Sequence, residues 1–413
     1  MTDFIVLGAG MVGVTTALAL QECGHHVTVV DRNPSACEAS YGNAGIIQVE
    51  ATEPYGFPRD PLSLIRLAFG LDNSVNYQLA ALPAAAGSLA GYFLNSAPRR
   101  HREISSVYRT IIEPSGTTHD QLIHASGAER LIRRNGYIQM YRGKAAFEKD
   151  VQNAERLTRE YGTQTMILDN ANLQKMEPVL QRDFVGAIHW RASRSCIDPA
   201  ALIQAYADLF QSRGGSLVQG DAATLASSGA GWQVTLSDGG VAKGEQVVVA
   251  LGSWSPQFLR RFGHVFPMIY KRGYHRHYDA PSLPTRPLFD VQAAVLYCPM
   301  RQGLRLTTGA EIARFPNAPK TSKQLERGEK AAREVLDVGN PIDRESWAGW
   351  RPCMPDMLPV IGKLPGVDGI WCNFGHGHHG FTLGPSTAQL LIGEVSGKPL
   401  SALSSRFSPA RFQ

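Results

Sequence analysis

The chain opens on four consecutive apolar residues, Phe4 to Leu7, which end in the glycine-rich run Gly8-Ala9-Gly10-Met11-Val12-Gly13. Val14 to Cys23 then read as a helix with Gly24 as its stop, and a second apolar run, Val27 to Val30, ends at Asp31. Strand, helix, strand in this order predicts a parallel β-α-β unit. From about Glu50 to Arg134 the pattern is mostly helical and broken by prolines, after which Gly136 to Tyr141 alternates like a half-buried strand. Residues 199 to 213 predict an amphipathic helix closed by Gly214-Gly215, with a strand at Ser216 to Gln219. Trp232 to Leu236, a turn at 238 to 240 and the strongly apolar Val247 to Gly252 predict a β-meander that leads into a buried strand. Several strand-like pieces fill 265 to 311, and the Gly- and Pro-rich tail finishes in a helix over Pro385 to Val395. No internal repeat or heptad run is present.

A length of 413 residues exceeds the usual single core, so two domains are expected. The formal charge of +5 is small and dispersed, which argues against a nucleic-acid groove and suits anionic small ligands. Six cysteines, Cys23, Cys37, Cys196, Cys298, Cys353 and Cys372, form no C-x-x-C pair, and with no secretory signal at the N-terminus they predict reduced thiols in the cytoplasm. Residues 73 to 98 carry no charge and are followed by Arg99, Arg100 and Arg102. Pro83, Gly87 and Gly91 dilute that stretch, so it reads as buried or surface-resting helices with peripheral membrane contact as a further option.

Gly8, Gly10 and Gly13 stand at the spacing that cradles a pyrophosphate: a tight turn, a close backbone approach and close helix-strand packing, with the phosphate on helix N–H groups. Asp31, at the end of the second strand, is placed to accept from a ribose hydroxyl. The unit alone leaves FAD, NAD and NADP open, and Arg32 also allows a 2′-phosphate. Ser40-Tyr41-Gly42-Asn43-Ala44-Gly45 adds a small-residue loop just beyond the ribose corner, which is either an ordinary turn or a second backbone approach to a longer coenzyme.

Asp31-Arg32 followed by Ser40-x-x-Asn43-Ala44-Gly45 resembles the opening of the FAD-dependent D-amino acid dehydrogenases, within the D-amino acid oxidase and glycine oxidase group. The resemblance continues through VVVALGSW at Val247 to Trp254, Lys271-Arg272-Gly273-Tyr274-His275, Gly349-Trp350-Arg351-Pro352 with Pro355-Asp356 and Pro359 to Gly362, and Gly375 to Pro385. It implies an α/β fold in which a Rossmann-type FAD-binding domain (1–50, 145–255 and 346–413) carries a second α+β substrate domain (51–144 and 256–345) on a mixed or antiparallel sheet. It also implies non-covalent FAD. Along the dinucleotide the residues are Gly8, Gly10, Met11, Val12, Gly13, Asp31 and Arg32; beside the flavin's longer path they are Ser40, Asn43, Ala44 and Gly45. Ala223, Gly252 and Trp254 join them from the middle of the chain, and Gly377, His378, His379, Gly380, Phe381 and Thr382 from the tail.

Arg351 is the candidate substrate residue, because its planar fork pairs bidentately with a carboxylate; an ion pair with Asp356 is the structural alternative. His376 is expected to face the substrate and Tyr274 to border the pocket. The three clustered histidines lack the completing ligands of a metal site, so no metal is expected. Two departures from the group, Leu296 in place of a substrate-contacting tyrosine and Lys271 in place of an acid, leave the substrate open. The resulting expectation is hydride loss from Cα of a small amino acid, a D-amino acid first, with electrons passing to a quinone, a partner flavoprotein or oxygen. The alternatives are a cyclic imino acid such as proline or hydroxyproline, an N-methyl amine or glycine, and a nucleotide-binding subunit without turnover.

Overall fold

Phe4, Val6, Val27, Val29 and Val248 pack on one face of a sheet, while Ile5, Leu7, Val30, Val247 and Val249 pack on the other. Strands apolar on both faces must be covered twice, which is the condition for an interior parallel sheet. In the computed structural model, which describes residues 1–33, 38–70, 73–398 and 403–413, this sheet has six strands. Their order is Ser216–Gln219, His26–Asp31, Asp3–Leu7, Gln246–Val249, Ile370–Phe374 and Val360–Lys363. The first five are parallel and the last is an antiparallel edge. The expected meander, Ala226–Ser228, Gly231–Thr235 and Val241–Gly244, covers one face through Val234 and Ala242.

The other face carries the helix Met11–Glu22, which packs against Pro199–Ser212 and against the last helix, Gly380–Val395. The last helix starts more than a turn before the Pro385 predicted from periodicity. A proline at that depth removes the N–H that would bond the Phe381 carbonyl. His119, from the helix Ser115–Ala125, supplies the missing donor: its Nε2 lies 2.9 Å from the Phe381 oxygen and 3.1 Å from that of Thr382. Burial holds His119 down at about 4, so it is neutral, and the two carbonyls, which can only accept, fix Nε2 as the protonated nitrogen, with the Tyr206 hydroxyl 3.1 Å from Nδ1.

A second, ten-stranded sheet runs Val75–Tyr77, Ala310–Ile312, Ile269–Tyr278, Gly303–Thr308, Val295–Met300, Leu288–Asp290, Tyr137–Tyr141, Gly186–Trp190 and Thr165–Leu168. The tenth strand, Trp347–Cys353, pairs antiparallel with Ile269–Tyr278. Two pairings are parallel and the rest antiparallel, so the sheet is mixed. Thr165–Leu168, Gly186–Trp190 and Trp347–Cys353, placed by sequence with the dinucleotide unit, hydrogen-bond into the larger sheet. Alternation along the chain shows that a strand exists; it does not show which partner takes its edge.

The uncharged stretch 73 to 98 forms the short strand Val75–Tyr77 and the helix Leu82–Asn95. Among the described residues no helix is long and apolar enough to cross a membrane. Five described cysteines carry free thiols, and Cys37 lies outside the described residues.

Close helix-strand packing at the first turn makes one site sensitive to a single methyl. A Cβ on Gly13 would stand 1.8 Å from the Gly8 carbonyl oxygen, so Gly13→Ala is expected to destabilise the protein by about 1–3 kcal/mol or more through forced backbone movement. Denaturant titration against the wild type checks this, and an unchanged midpoint would contradict it.

Candidate active site

A cavity of about 1170 Å³ is lined from both sheets, by Gly8, Val30 and Ala250 on one side and by Lys271, Gly273 and Thr307 on the other. That volume exceeds what a small substrate alone fills.

At its parallel-sheet end the chain turns sharply at Gly8, whose φ of 110° is open to glycine and whose N–H donates to the Val30 carbonyl at 2.9 Å. Gly8, Gly10, Met11 and Val12 border the cavity, while Gly13 sits behind them as the packing contact. The Ser40 hydroxyl accepts from the Met11 N–H at 3.1 Å, so a side-chain oxygen already occupies the helix N-terminus where an anion is favoured. Asp31 also borders the cavity; its two oxygens accept from the N–H groups of Ala9 at 2.7 Å and Asn33 at 3.0 Å. These bonds fix the carboxylate at the strand end.

Ala223, Gly252 and Trp254 line the same end, and the Arg32 guanidinium lies 4.5 Å from the Trp254 ring centroid. Asn43 and Ala44 line it too, whereas Gly45 lies outside the lining, where an added Cβ would meet the Cys196 carbonyl at 2.3 Å. An open glycine cradle, a helix N-terminus, an anchored acid and a long cavity fit a dinucleotide that extends past the sheet edge.

The opposite end is built on Trp347–Cys353. Arg351 borders the cavity and donates to the carbonyls of Gly309 at 2.8 Å and Thr308 at 3.3 Å. Gly273, on the neighbouring strand, leaves the room it occupies: a Cβ there would stand 2.4 Å from a guanidinium nitrogen. The structural alternative fails, since Asp356 pairs with Arg411 at 2.7 Å. Among the described residues Arg351 has no carboxylate partner.

Gly377, His378, Gly380 and Phe381 border the cavity at the first turn of the last helix, with His376 beside them. His376 Nε2 reaches the Thr387 hydroxyl at 3.0 Å, and burial pushes the ring down to about 3. Burial, with Arg351 and Lys271 adding repulsion, drives His378 well below its ordinary value. All three imidazoles are therefore neutral near pH 7, because burial holds His379 at about 4. His379 and Thr382 stand behind the lining. The first meets the Tyr108 hydroxyl at 2.7 Å, and the second, by accepting from the Gln48 N–H at 3.1 Å, holds the 46–48 segment in place.

Tyr274 is held from both sides. Its ring borders the cavity, but the hydroxyl donates to Glu311 at 2.6 Å and accepts from the Thr321 N–H at 3.1 Å. It is thereby committed to a buried structural cluster with Arg272.

Tyr55, Tyr92 and Tyr137 reach the cavity from segments the sequence left as plain helix or strand, and Arg261 closes the far end by donating to the Ala223 and Leu225 carbonyls, each at 2.7 Å. No spacing signal marks the tyrosines. Lys271, one of the two departures from the group, stands on the strand Ile269–Tyr278 and borders the cavity as well.

Comparison with known proteins agrees with this layout. The family described as FAD dependent oxidoreductase (DAO) matches residues 3–393. A D-amino-acid oxidase of Bradyrhizobium diazoefficiens is 28% identical over 98% of both chains. A D-amino acid dehydrogenase of Methylobacterium radiotolerans is 29% identical over 95% of this chain and 96% of its own. Glycine oxidase from Geobacillus kaustophilus shares the fold at a TM-score of 0.73 and 20% identity, covering 100% of this chain and 99% of that one. Iminodiacetate oxidase from Chelativorans sp. BNC1 does so at 0.72 and 20%, covering 98% of each. A family match that begins in the first strand and ends in the last helix means that this chain belongs to the DAO family of FAD-dependent oxidoreductases.

Proposed function

We propose that the protein oxidises the Cα–N bond of a small amino acid, a D-amino acid first, to the imino acid, which water then hydrolyses. The observation that carries this reading is Arg351: a guanidinium beside the cavity, held by two backbone carbonyls and lacking any acid among the described residues. Bound FAD supplies a two-electron centre that accepts hydride at its N5. The glycine turn, the helix N-terminus with Ser40, and Asp31 would hold its dinucleotide, and the 377–381 turn would border its ring. Non-covalent attachment is supported by Cys353, whose thiol lies outside the cavity lining and is pushed up by burial.

The chain's own task is positioning. Arg351 would grip the α-carboxylate and so orient Cα–H. The neutral His376 and His378 add no positive charge against a departing hydride and offer no basic group for the proton chemistry. The substrate's own amine must therefore be unprotonated when its lone pair expels hydride. The names of the relatives, D-amino acid oxidase and dehydrogenase, support this substrate class over cyclic or N-methyl amines.

A surface feature supports peripheral contact with an anionic membrane, and hence a lipid-soluble electron acceptor. Leu62, Ile65 and Phe69, in and just after the helix Pro61–Ala68, are exposed, as are Leu79 and Leu94. The uncharged helix Leu82–Asn95 follows, and exposed Arg59, Arg66, Arg99, Arg100 and Arg102 flank the segment. Apolar side chains rimmed by arginine match an anionic interface. We place the protein in the cytoplasm on this membrane face.

Three outcomes are expected. With the FAD-loaded protein under anaerobic conditions, D-amino acids should bleach the flavin band faster than their L-enantiomers, and Arg351→Ala should keep its FAD while KM rises on the order of a hundredfold or more. Unchanged kinetics in that variant would remove the carboxylate role. In a pH profile, kcat/KM should climb toward alkaline pH with the substrate amine and show no inflection near 6.5, because the three imidazoles titrate far below it; an inflection there that His376→Asn abolishes would contradict this. Vesicles with anionic lipid should co-sediment the protein at low salt, and Leu62→Ser/Phe69→Ser should release it; equal binding to neutral vesicles, or none to either, would remove the membrane reading.

A further inference from the structure

We propose that the substrate carries two acid groups, and that Lys271 is the specificity-determining residue that receives the second while Arg351 holds the first; this rests on the amino-acid reading above. Lys271 and Arg351 are directly opposite each other in the antiparallel pair Ile269–Tyr278 and Trp347–Cys353, so both side chains leave the same face. That face opens on the cavity, which both residues line. Like charges placed opposite each other destabilise a sheet. The arrangement is retained here in a water-poor setting, with Lys271 only 6% exposed.

Neither cation is neutralised by the protein. Lys271 Nζ lies 4.5 Å from the Tyr92 ring centroid, and among the described residues no carboxylate lies within ion-pair distance of it. The adjacent Arg272 faces the other way and meets Glu311 at 2.6 Å, and the part-buried Arg142 and Arg286 have Asp290 at 2.6 Å and Glu177 at 2.8 Å. Glu50, the buried carboxyl behind Tyr137 and Gln48, is engaged by the Ser193 hydroxyl, and burial raises it toward the neutral form. His378, which feels both cations, is neutral. Two positive charges therefore share one end of the cavity with no counter-charge. Tyr92, which lies against Lys271, packs with Phe57 and Leu89, and all three line the cavity. A single α-carboxylate brings one negative charge to two cations; a short amino dicarboxylate brings two.

The test uses the FAD-loaded protein and compares D-aspartate, D-glutamate and iminodiacetate with D-asparagine, D-glutamine and D-alanine. At least one dicarboxylate should exceed every monocarboxylate in kcat/KM, and Lys271→Met should cut that ratio by roughly 30-fold or more, as loss of a desolvated charge pair does. Lys271→Arg should restore part of it. In parallel, malonate and succinate should perturb the flavin spectrum at lower concentration than acetate and propionate, with the advantage lost in Lys271→Met. Equal rates for acids and amides, or a ratio and a spectral advantage unmoved by Lys271→Met, would overturn the proposal while leaving amino-acid oxidation intact. If no amine bleaches the flavin but the dicarboxylates bind through Lys271, the oxidation reading fails and with it the claim about the substrate, while Lys271 keeps its role as receiver of a second acid group. Removing a buried unpaired charge is not expected to prevent folding.

Discussion

The cavity exists because two helices from opposite ends of the chain touch backbone-close. Met11–Glu22 reaches its own strand turn through Gly13 and the last helix through Gly384, where a Cβ would stand 2.8 Å from Met11 Cγ. A larger residue at Gly384 would lever the helices apart, and one at Gly13 would push the first helix off its strand turn. The glycine turn beside the dinucleotide and the 377–381 turn beside the reacting centre would then cease to share one chamber. Packing density, rather than any polar contact, sets the geometry on which the chemistry rests.

Within that chamber charge is distributed unevenly. The imidazoles are silenced by burial, and the acids of the neighbouring walls are spent on structural arginines. At the end bordered by Arg351 what is left is cationic, and it lies on one strand pair. A site arranged in this way selects its ligand by what it lacks: an anion entering it gains pairings that the fold withholds.

Much of this was legible beforehand, for identifiable reasons. The β-α-β unit is local, so glycines, an apolar run and an acid at a strand end declared it. Arg351 was legible because Gly349 to Pro352 lies in a segment with a family resemblance and its chemistry is distinctive. The larger sheet was less so. Thr165–Leu168 and Gly186–Trp190 fall inside the 145–255 range given to the dinucleotide-binding domain, but their edges are taken by strands of the larger sheet. Tyr274 shows the same limit at side-chain scale: position on the strand was readable, whereas the Glu311 that captures its hydroxyl arrives from 37 residues away. Thr382 and His379 fall in the right loop yet face the scaffold, since a helical turn sends neighbouring side chains in different directions.

The pairing of His119 with Pro385 ties two sites thermodynamically. A proline where the helix ladder needs an amide leaves an acceptor empty, and an imidazole from another helix fills it. Changing the proline alone would return the amide and leave the imidazole a superfluous, buried donor. Changing the histidine alone would strand a carbonyl. Substitutions at the two positions are thus non-additive, and drift at one is tolerated only when the other drifts with it.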